Sequence, residues 1–312
     1  MEEISLLILG AGWTATFLIP HLQSKKITFA ATTTTGRPVA DVPTLPFKFD
    51  PSAPEDEVRS AIASLPRARY ILITFPLNDT GPAKLLVETY TTTHLTPASS
   101  SSTQTPTPFR FIQLGSSGIW QPGSPYRTTA APNTTNTTDT TDTSPWKTRH
   151  SPITTTPRSI AETELLSLGG CVLNLSGLWG GSRSPRNWAR RVAHTKELLR
   201  GKASLHLIHG LDVARALVAI VEGGEGKWET VGRGQRWMVT DGFVYDWWGM
   251  VAGWADGGGG EGEEERARWV WELMREEGVR GLPRSVEVLG RCYDAREFWE
   301  AVGLVPLKGH AS

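Results

Sequence analysis

The stretch Ile4 to Leu22, ISLLILGAGWTATFLIPHL, holds residue types whose spacing can do chemistry. An apolar run of strand length, Ile4 to Leu9, opens without a gap into Gly10-Ala11-Gly12-Trp13-Thr14-Ala15, and Phe17, Leu18 and Leu22 follow at helical spacing. Strand, tight glycine turn and helix in that order make an anion cradle. Gly10 lets the chain turn sharply, Gly12 removes a side chain so that backbone can approach a pyrophosphate, and the small Ala15 lets helix and strand pack closely. The helix start adds unpaired N–H groups and the positive end of its dipole. The pattern points to a dinucleotide held at Gly10, Ala11, Gly12, Trp13 and Thr14. Pro20 falls inside the helix, where it should kink or shorten it at a cost of about 3 kcal/mol.

The residues after the second strand select the dinucleotide. Ile27 to Thr32 reads as that strand, bounded by Lys25-Lys26 and Gly36. An NAD site usually has an acid about 20 residues past the glycines for the ribose 2′-OH, whereas an arginine suits a 2′-phosphate. Here the run is Thr32-Thr33-Thr34-Thr35-Gly36-Arg37, with no acid until Asp41. NADP is favoured over NAD, with Arg37 and threonine hydroxyls such as that of Thr33 as phosphate contacts. The alternative is NAD, with Arg37 an ordinary loop arginine.

The elements that must position these residues alternate. Phe47 to Asp50 reads as a short strand ending in an acid, Glu55 to Ser64 as a helix, Arg69 to Pro76 as a strand and Leu85 to Tyr90 as a helix. Phe109 to Leu114 is the next strand, closing on Gly115-Ser116-Ser117-Gly118. Such alternation implies a parallel sheet with helices on both faces, and ligands then lie beyond the carboxyl ends of the strands. That gathers Gly10 to Ala15, Thr32 to Arg37, Asp50, Thr74, Phe75 and Pro76 around one crevice. The expected fold class is α/β, a Rossmann-type doubly wound parallel sheet with a smaller C-terminal substrate lobe. The expected division is a dinucleotide-binding core over 1–176, with the remaining core strands and helices and the lobe over 177–312. Thr91 to Pro108 and Arg127 to about Pro157 are dominated by Thr, Ser, Pro and Asn, too polar to bury, and read as inserts.

The C-terminal half continues the alternation. Arg158 to Leu166 reads as a helix, Cys171 to Ser176 as a strand, Trp179 to Arg183 as a turn, and Asn187 to Arg200 as one basic helix. His206 to His209 is a short strand, and Asp212 is placed to cap an apolar helix over Val213 to Val221. Arg236 to Thr240 is a strand, Val244 to Trp254 a tryptophan-rich helix, and Gly257 to Gly262 a flexible loop. Glu263 to Glu277 is a helix with Ala267, Val270, Trp271 and Met274 on one face and a Glu264 to Arg268 pair on the surface; Asp294 to Val302 is the last helix.

Composition excludes other classes. The 312 residues are 39% hydrophobic and 21% charged, enough for a large core. Lysine plus arginine equals aspartate plus glutamate, 32 of each, so no net field holds nucleic acid or an anionic membrane. The two cysteines, Cys171 and Cys292, make neither a disulfide framework nor a cysteine metal site, and no metal is expected. The start, MEEISLLILGAG, lacks the basic flank of a secretory signal, and no segment approaches the run of about 20 apolar residues that spans a bilayer. The expected location is the cytoplasm.

The motifs ILGAGWTATFL, IQLGSSGIW at Ile112 to Trp120, RSIAETELL followed by LNLSGLWGG, IHGLDVARAL at Ile208 to Leu217 and WMVTDG at Trp237 to Gly242 occur in the order of a known superfamily. The chain resembles an atypical extended short-chain dehydrogenase/reductase, the group that includes NAD(P)-dependent epimerases and dehydratases. The resemblance implies a serine after the fifth strand that orients substrate, matched by Ser116 or Ser117. It also implies a tyrosine four residues before a lysine, the lysine and nicotinamide lowering the tyrosine pKa for proton transfer. Laid on the family's helix, the tyrosine falls on Thr156 and the lysine on Ile160, so this pair is lost. Tyr126, with Lys147 or Arg158, is the candidate replacement; its alternative is an exposed loop tyrosine. His150 is a possible acid or base. His209 and Asp212 read as structural partners, and the 13 tryptophans as lobe core or an aromatic pocket wall.

Two functions stay open. One is an NADP(H)-dependent oxidoreductase or epimerase of a small carbonyl or alcohol, since hydride transfer depends first on cofactor and geometry. The other is a non-catalytic NADP-binding sensor or scaffold on the same fold. A relic that binds no cofactor is a third.

Overall fold

The apolar runs pair into one sheet. The computed structural model describes residues 3–95, 109–121, 144–256 and 262–309. Its main strands are β1 (Ile4–Leu9), β2 (Phe29–Thr33), β3 (Leu45–Pro46), β4 (Ala68–Ile73), β5 (Arg110–Ser116), β6 (Cys171–Leu175) and β7 (Arg236–Val239). They form a seven-stranded sheet in the order β7-β6-β5-β4-β1-β2-β3, every pairing parallel. The order reverses direction at β1 and β4, where a doubly wound sheet opens its crevice.

Each central strand is apolar on both sides because helices cover both faces. Leu6 and Ile8 of β1, with Tyr70 and Leu72 of β4, pack under α1 (Ala15–Ser24). The same core takes Val213, Leu217 and Ile220 of the helix Gly210–Glu222 and Phe298 and Trp299 of Arg296–Val302. Leu7, Leu9, Ile71 and Ile73 face the opposite way, onto α2 (Glu55–Ala63), α3 (Pro82–His94) and α4 (Pro157–Ser167). Each fully buried Leu or Ile contributes about 2 kcal/mol of transfer free energy. The C-terminal lobe has its own core, in which Trp247, Trp248 and Trp254 meet Leu199, Val270 and Leu273. Arg284 binds the Asp246 carboxylate there and lies 3.9 Å over the Trp248 ring.

Several expectations shift. α1 runs through Pro20, which is exposed, so water can serve the carbonyl its missing N–H leaves free. The short strand is Leu45–Pro46, not Phe47 to Asp50, because only those two residues pair with Thr32 and Thr33. The basic helix is two, Arg186–Val192 and Lys196–Arg200, divided where Thr195 caps the second by accepting from Leu198 N. His209, not Asp212, caps Gly210–Glu222, its Nδ1 accepting from Leu211 N. Asp212 is buried and accepts instead from Leu307 N, Lys308 N and Arg215. The tryptophan-rich helix begins at Trp247, since Tyr245–Asp246 pairs with Ser204–Leu205. Trp271 is exposed on Glu263–Glu276, and Leu273 takes the inward place.

The inserts are shorter than composition suggests. Thr91 to His94 complete α3. Residues 144–157 are built into the fold: Trp146–Lys147 pairs with Cys292–Tyr293, and Arg149 lies 3.9 Å over the Trp237 ring while binding Gln235 and Glu297. Residues 96–108, 122–143 and 257–261 lie outside the described residues, and Tyr126 with them. Among the described residues no helix is long and apolar enough to cross a membrane, and no His/Cys/Asp/Glu group has the makings of a metal site.

Candidate functional site

Parallel pairing brings the carboxyl ends of β2, β1, β4 and β5 to one edge, neighbours in that order. Arg37 follows β2, Gly10 to Thr14 follow β1, Thr74 to Pro76 follow β4, and Ser116 ends β5. At about 4.8 Å per strand the row spans about 14 Å.

The glycine turn is held from below. Ala11 N donates to Thr32 O at 2.6 Å, and Gly10 N to Thr32 Oγ1 at 3.0 Å. Thr74 donates its hydroxyl to Leu9 O and Gly10 O, so its role is to brace the turn. Gly10 has φ +83°, and a Cβ there would meet Thr74 Oγ1 at 2.9 Å. Gly12 differs: a Cβ there would meet only Gly10 O, at 3.8 Å, so the space over it is open. Among the described residues no protein acceptor serves the amides of Gly12, Trp13 and Thr14. Three free amides at a helix start, under a glycine with nothing above it, fit a diphosphate.

The β2 end of the row carries a cation. Arg37 is exposed and has no side-chain partner among the described residues, and Thr34 and Thr35 beside it are exposed. Thr33, by contrast, is buried with its hydroxyl 2.9 Å from Thr44 Oγ1, so its neighbours are the hydroxyls on offer. Asp50 accepts from Ser52 N and lies 3.4 Å from Lys48 Nζ. Phe75 stacks on Phe49, centroids 6.2 Å apart, and Pro76 is exposed.

At the other end the two serines separate. Ser117 is buried and shares a hydrogen bond with Ser176 at 3.0 Å, while Tyr293 donates to its carbonyl. Ser116 is half-buried and accepts from Gly118 N, leaving its O–H to donate. Thr156 caps α4 reciprocally with Ser159, and Ile160 is partly buried beside it. Tyr70, Tyr90, Tyr245 and Tyr293 each donate their hydroxyl to another group of the protein. His150 is exposed and pairs with Glu297 at 3.0 Å.

Two groups near Ser116 escaped the sequence reading. Asn174 Nδ2 donates to Ser116 O at 3.3 Å and to the buried Glu162 at 2.9 Å, and Arg236 binds the same carboxylate. Burial pushes the Glu162 carboxyl above its usual range. Gly115 permits this arrangement, since a Cβ there would clash with Asn174 Nδ2. The signal was a charged residue at Glu162 on the same helix face as Leu165.

Solved structures resemble the chain over its full length. MoeE5 in complex with UDP-glucose and NAD shares 13% identity with a TM-score of 0.53, covering 98% of this chain and 94% of that one. Other structures similar to the chain are named as epimerases. UDP-glucose 4-epimerase from Thermotoga maritima, with UDP-glucose, has a TM-score of 0.52 at 14% identity over 97% of this chain and 94% of its own. The Thermus thermophilus UDP-glucose 4-epimerase complex with NAD has a TM-score of 0.53 at 13% identity over the same shares, 97% and 94%. At these identities the likeness is one of fold: a Rossmann-type parallel sheet with a smaller C-terminal region. No protein-family model and no curated protein matches the sequence.

Proposed function

We propose that the chain binds NADP(H) and is an oxidoreductase or epimerase acting on a small alcohol or carbonyl. The observation that carries this is the row along the sheet edge: unpaired Arg37, three free amides under open Gly12, and the half-buried Ser116 hydroxyl. Arg37 with Thr34 and Thr35 suits a 2′-phosphate, and the turn suits the diphosphate. Bound there, the dinucleotide supplies the hydride donor or acceptor. Ser116 then donates a hydrogen bond to the substrate oxygen, its backbone held by Asn174. The neighbours named with NAD and UDP-glucose make a sugar nucleotide one substrate to screen.

A non-catalytic NADP sensor is the second reading, favoured by one observation. Thr156 and Ile160 offer no tyrosine and lysine, and each of Tyr70, Tyr90, Tyr245 and Tyr293 has its hydroxyl bonded within the protein. Titration with NADPH and NADH, followed by energy transfer from tryptophan to reduced nicotinamide, tests both readings. NADPH should bind more tightly than NADH, and Arg37→Met should weaken NADPH about tenfold while leaving NADH unchanged. No binding of either at millimolar concentration ends both readings. Turnover of any carbonyl by the wild type that Ser116→Ala abolishes decides for the enzyme.

A further inference from the structure

Opposite the glycine turn, the strand Gly177–Trp179 runs into a tight hairpin, Gly180 to Arg183, closed by Gly180 N to Arg183 O at 2.8 Å and Arg183 N to Gly180 O at 3.1 Å. The hairpin rests on the turn itself. Trp13 donates its indole N–H to Gly180 O at 3.2 Å, and the Arg183 guanidinium lies 4.6 Å from the centroid of the Trp13 ring. Phe17 packs against the indole edge to face, ring centroids 4.9 Å apart. Arg183 is exposed, and among the described residues it has neither a carboxylate nor any side-chain hydrogen bond.

A guanidinium stacked on an indole presents its N–H groups outward in the ring plane, a fork suited to phosphate oxygens. Trp13 carries one of the three free amides, so the fork is fixed to the residue that faces the diphosphate from the other side. We infer that Arg183, oriented by Trp13, closes over the dinucleotide's diphosphate as a second anchor, opposite the backbone amides. This rests on the dinucleotide reading above and adds to it a residue from the C-terminal half of the chain. It also gives Trp13 a purpose: its indole ties the hairpin to the turn.

The test measures equilibrium binding of NADPH, ADP-ribose, 2′-AMP and UDP to the wild type, Arg183→Met and Arg183→Lys. Methionine keeps an apolar chain over the indole and removes the fork; lysine keeps charge and loses the planar geometry. Arg183→Met should bind NADPH and ADP-ribose about tenfold more weakly with 2′-AMP unchanged, and Arg183→Lys should fall between. Since Arg183 is exposed, both variants should keep the wild-type far-ultraviolet circular dichroism. If the wild type binds NADPH and Arg183→Met binds it equally well, Arg183 is no anchor and the dinucleotide reading survives alone. A loss confined to UDP overturns the inference by giving the arginine to another ligand's diphosphate. Failure of the wild type to bind either NADPH or ADP-ribose refutes the dinucleotide reading, and this inference with it.

Discussion

At the residue scale, the two glycines of one turn do different work, and the difference can be measured. Gly10 sits at φ +83° with its missing Cβ facing Thr74 Oγ1 at 2.9 Å. Gly10→Ala should therefore cost at least the 1–2 kcal/mol of a left-handed residue, roughly, before the clash with Thr74 is counted. Gly12 has neither constraint, so Gly12→Ala should leave stability within about 0.5 kcal/mol of wild type. Its cost should fall on the ligand, weakening NADPH about tenfold because the new methyl occupies the path of the phosphates. Denaturant unfolding and NADPH titration of both variants give the answer. Equal loss of stability in the two would mean that Gly12, too, is there for packing. The same logic separates the serines: Ser116 is half-buried at the end of β5 with an uncommitted O–H, whereas Ser117 shares its hydroxyl with Ser176.

At the element scale, α4 shows what became of the position where the family resemblance looks for an acid. The Thr156 hydroxyl accepts from Ser159 N at 3.1 Å, and Thr156 N donates in return to the Ser159 hydroxyl oxygen at 2.8 Å. Thr156→Ala should cost about 1 kcal/mol of stability and Thr156→Asp should keep most of it, with NADPH affinity the same in both. A loss of turnover in both variants at unchanged stability would instead give Thr156 a chemical role. Elements whose partners are local were legible: β1, the glycine turn and α1 follow from an apolar run, a positive-φ glycine and a 3.6-residue period within 20 positions, about the span that pattern reasoning handles best. Elements fixed by distant partners were not. The segment around Trp146 looks like more threonine-rich insert until Cys292 and Tyr293 supply its pairing. Which residue caps Gly210–Glu222 depends on the backbone of His209, φ −79° and ψ 143°, which side-chain type alone does not give. Of the candidate site, Gly10, Gly12, Arg37 and Ser116 are proposed from local sequence, whereas Asn174 meets Ser116 and Arg183 meets Trp13 only through contacts between residues far apart in the chain.

At the scale of the whole molecule, the C-terminal half buries titratable groups of opposite sign, and these contribute to its response to pH. His206 is buried, stacked on Tyr293 at 4.2 Å, and accepts from Tyr293 N at 3.0 Å. Burial, with Arg291 nearby, pushes it down to about 3. Its unfolded pKa is about 6.5, so the unfolded chain takes the proton first, and the stability present above pH 6.5 is lost at about 1.4 kcal/mol per unit as pH falls toward 3. Asp241, whose backbone N–H donates to Leu207 O at 2.8 Å, has the opposite sign. Burial pushes its carboxyl up to about 6, against hydrogen bonds from Tyr245 and Phe243 N. The folded chain therefore holds that proton, and stability present below about pH 4 is lost as pH rises through 6. Between pH 7.5 and 5 the histidine removes about 2 kcal/mol and the aspartate restores about 1, so the two oppose each other. Each variant exposes the other group. Relative to wild type over the same interval, His206→Gln should gain about 2 kcal/mol and Asp241→Asn should lose about 1. Glu162, raised by burial, and His21, His94 and His209, lowered by burial, contribute equally to both variants and cancel in their comparison. Urea unfolding at the two pH values should therefore show the variants diverging by about 3 kcal/mol; parallel responses would mean that His206 and Asp241 titrate in the folded protein as they do in the unfolded chain.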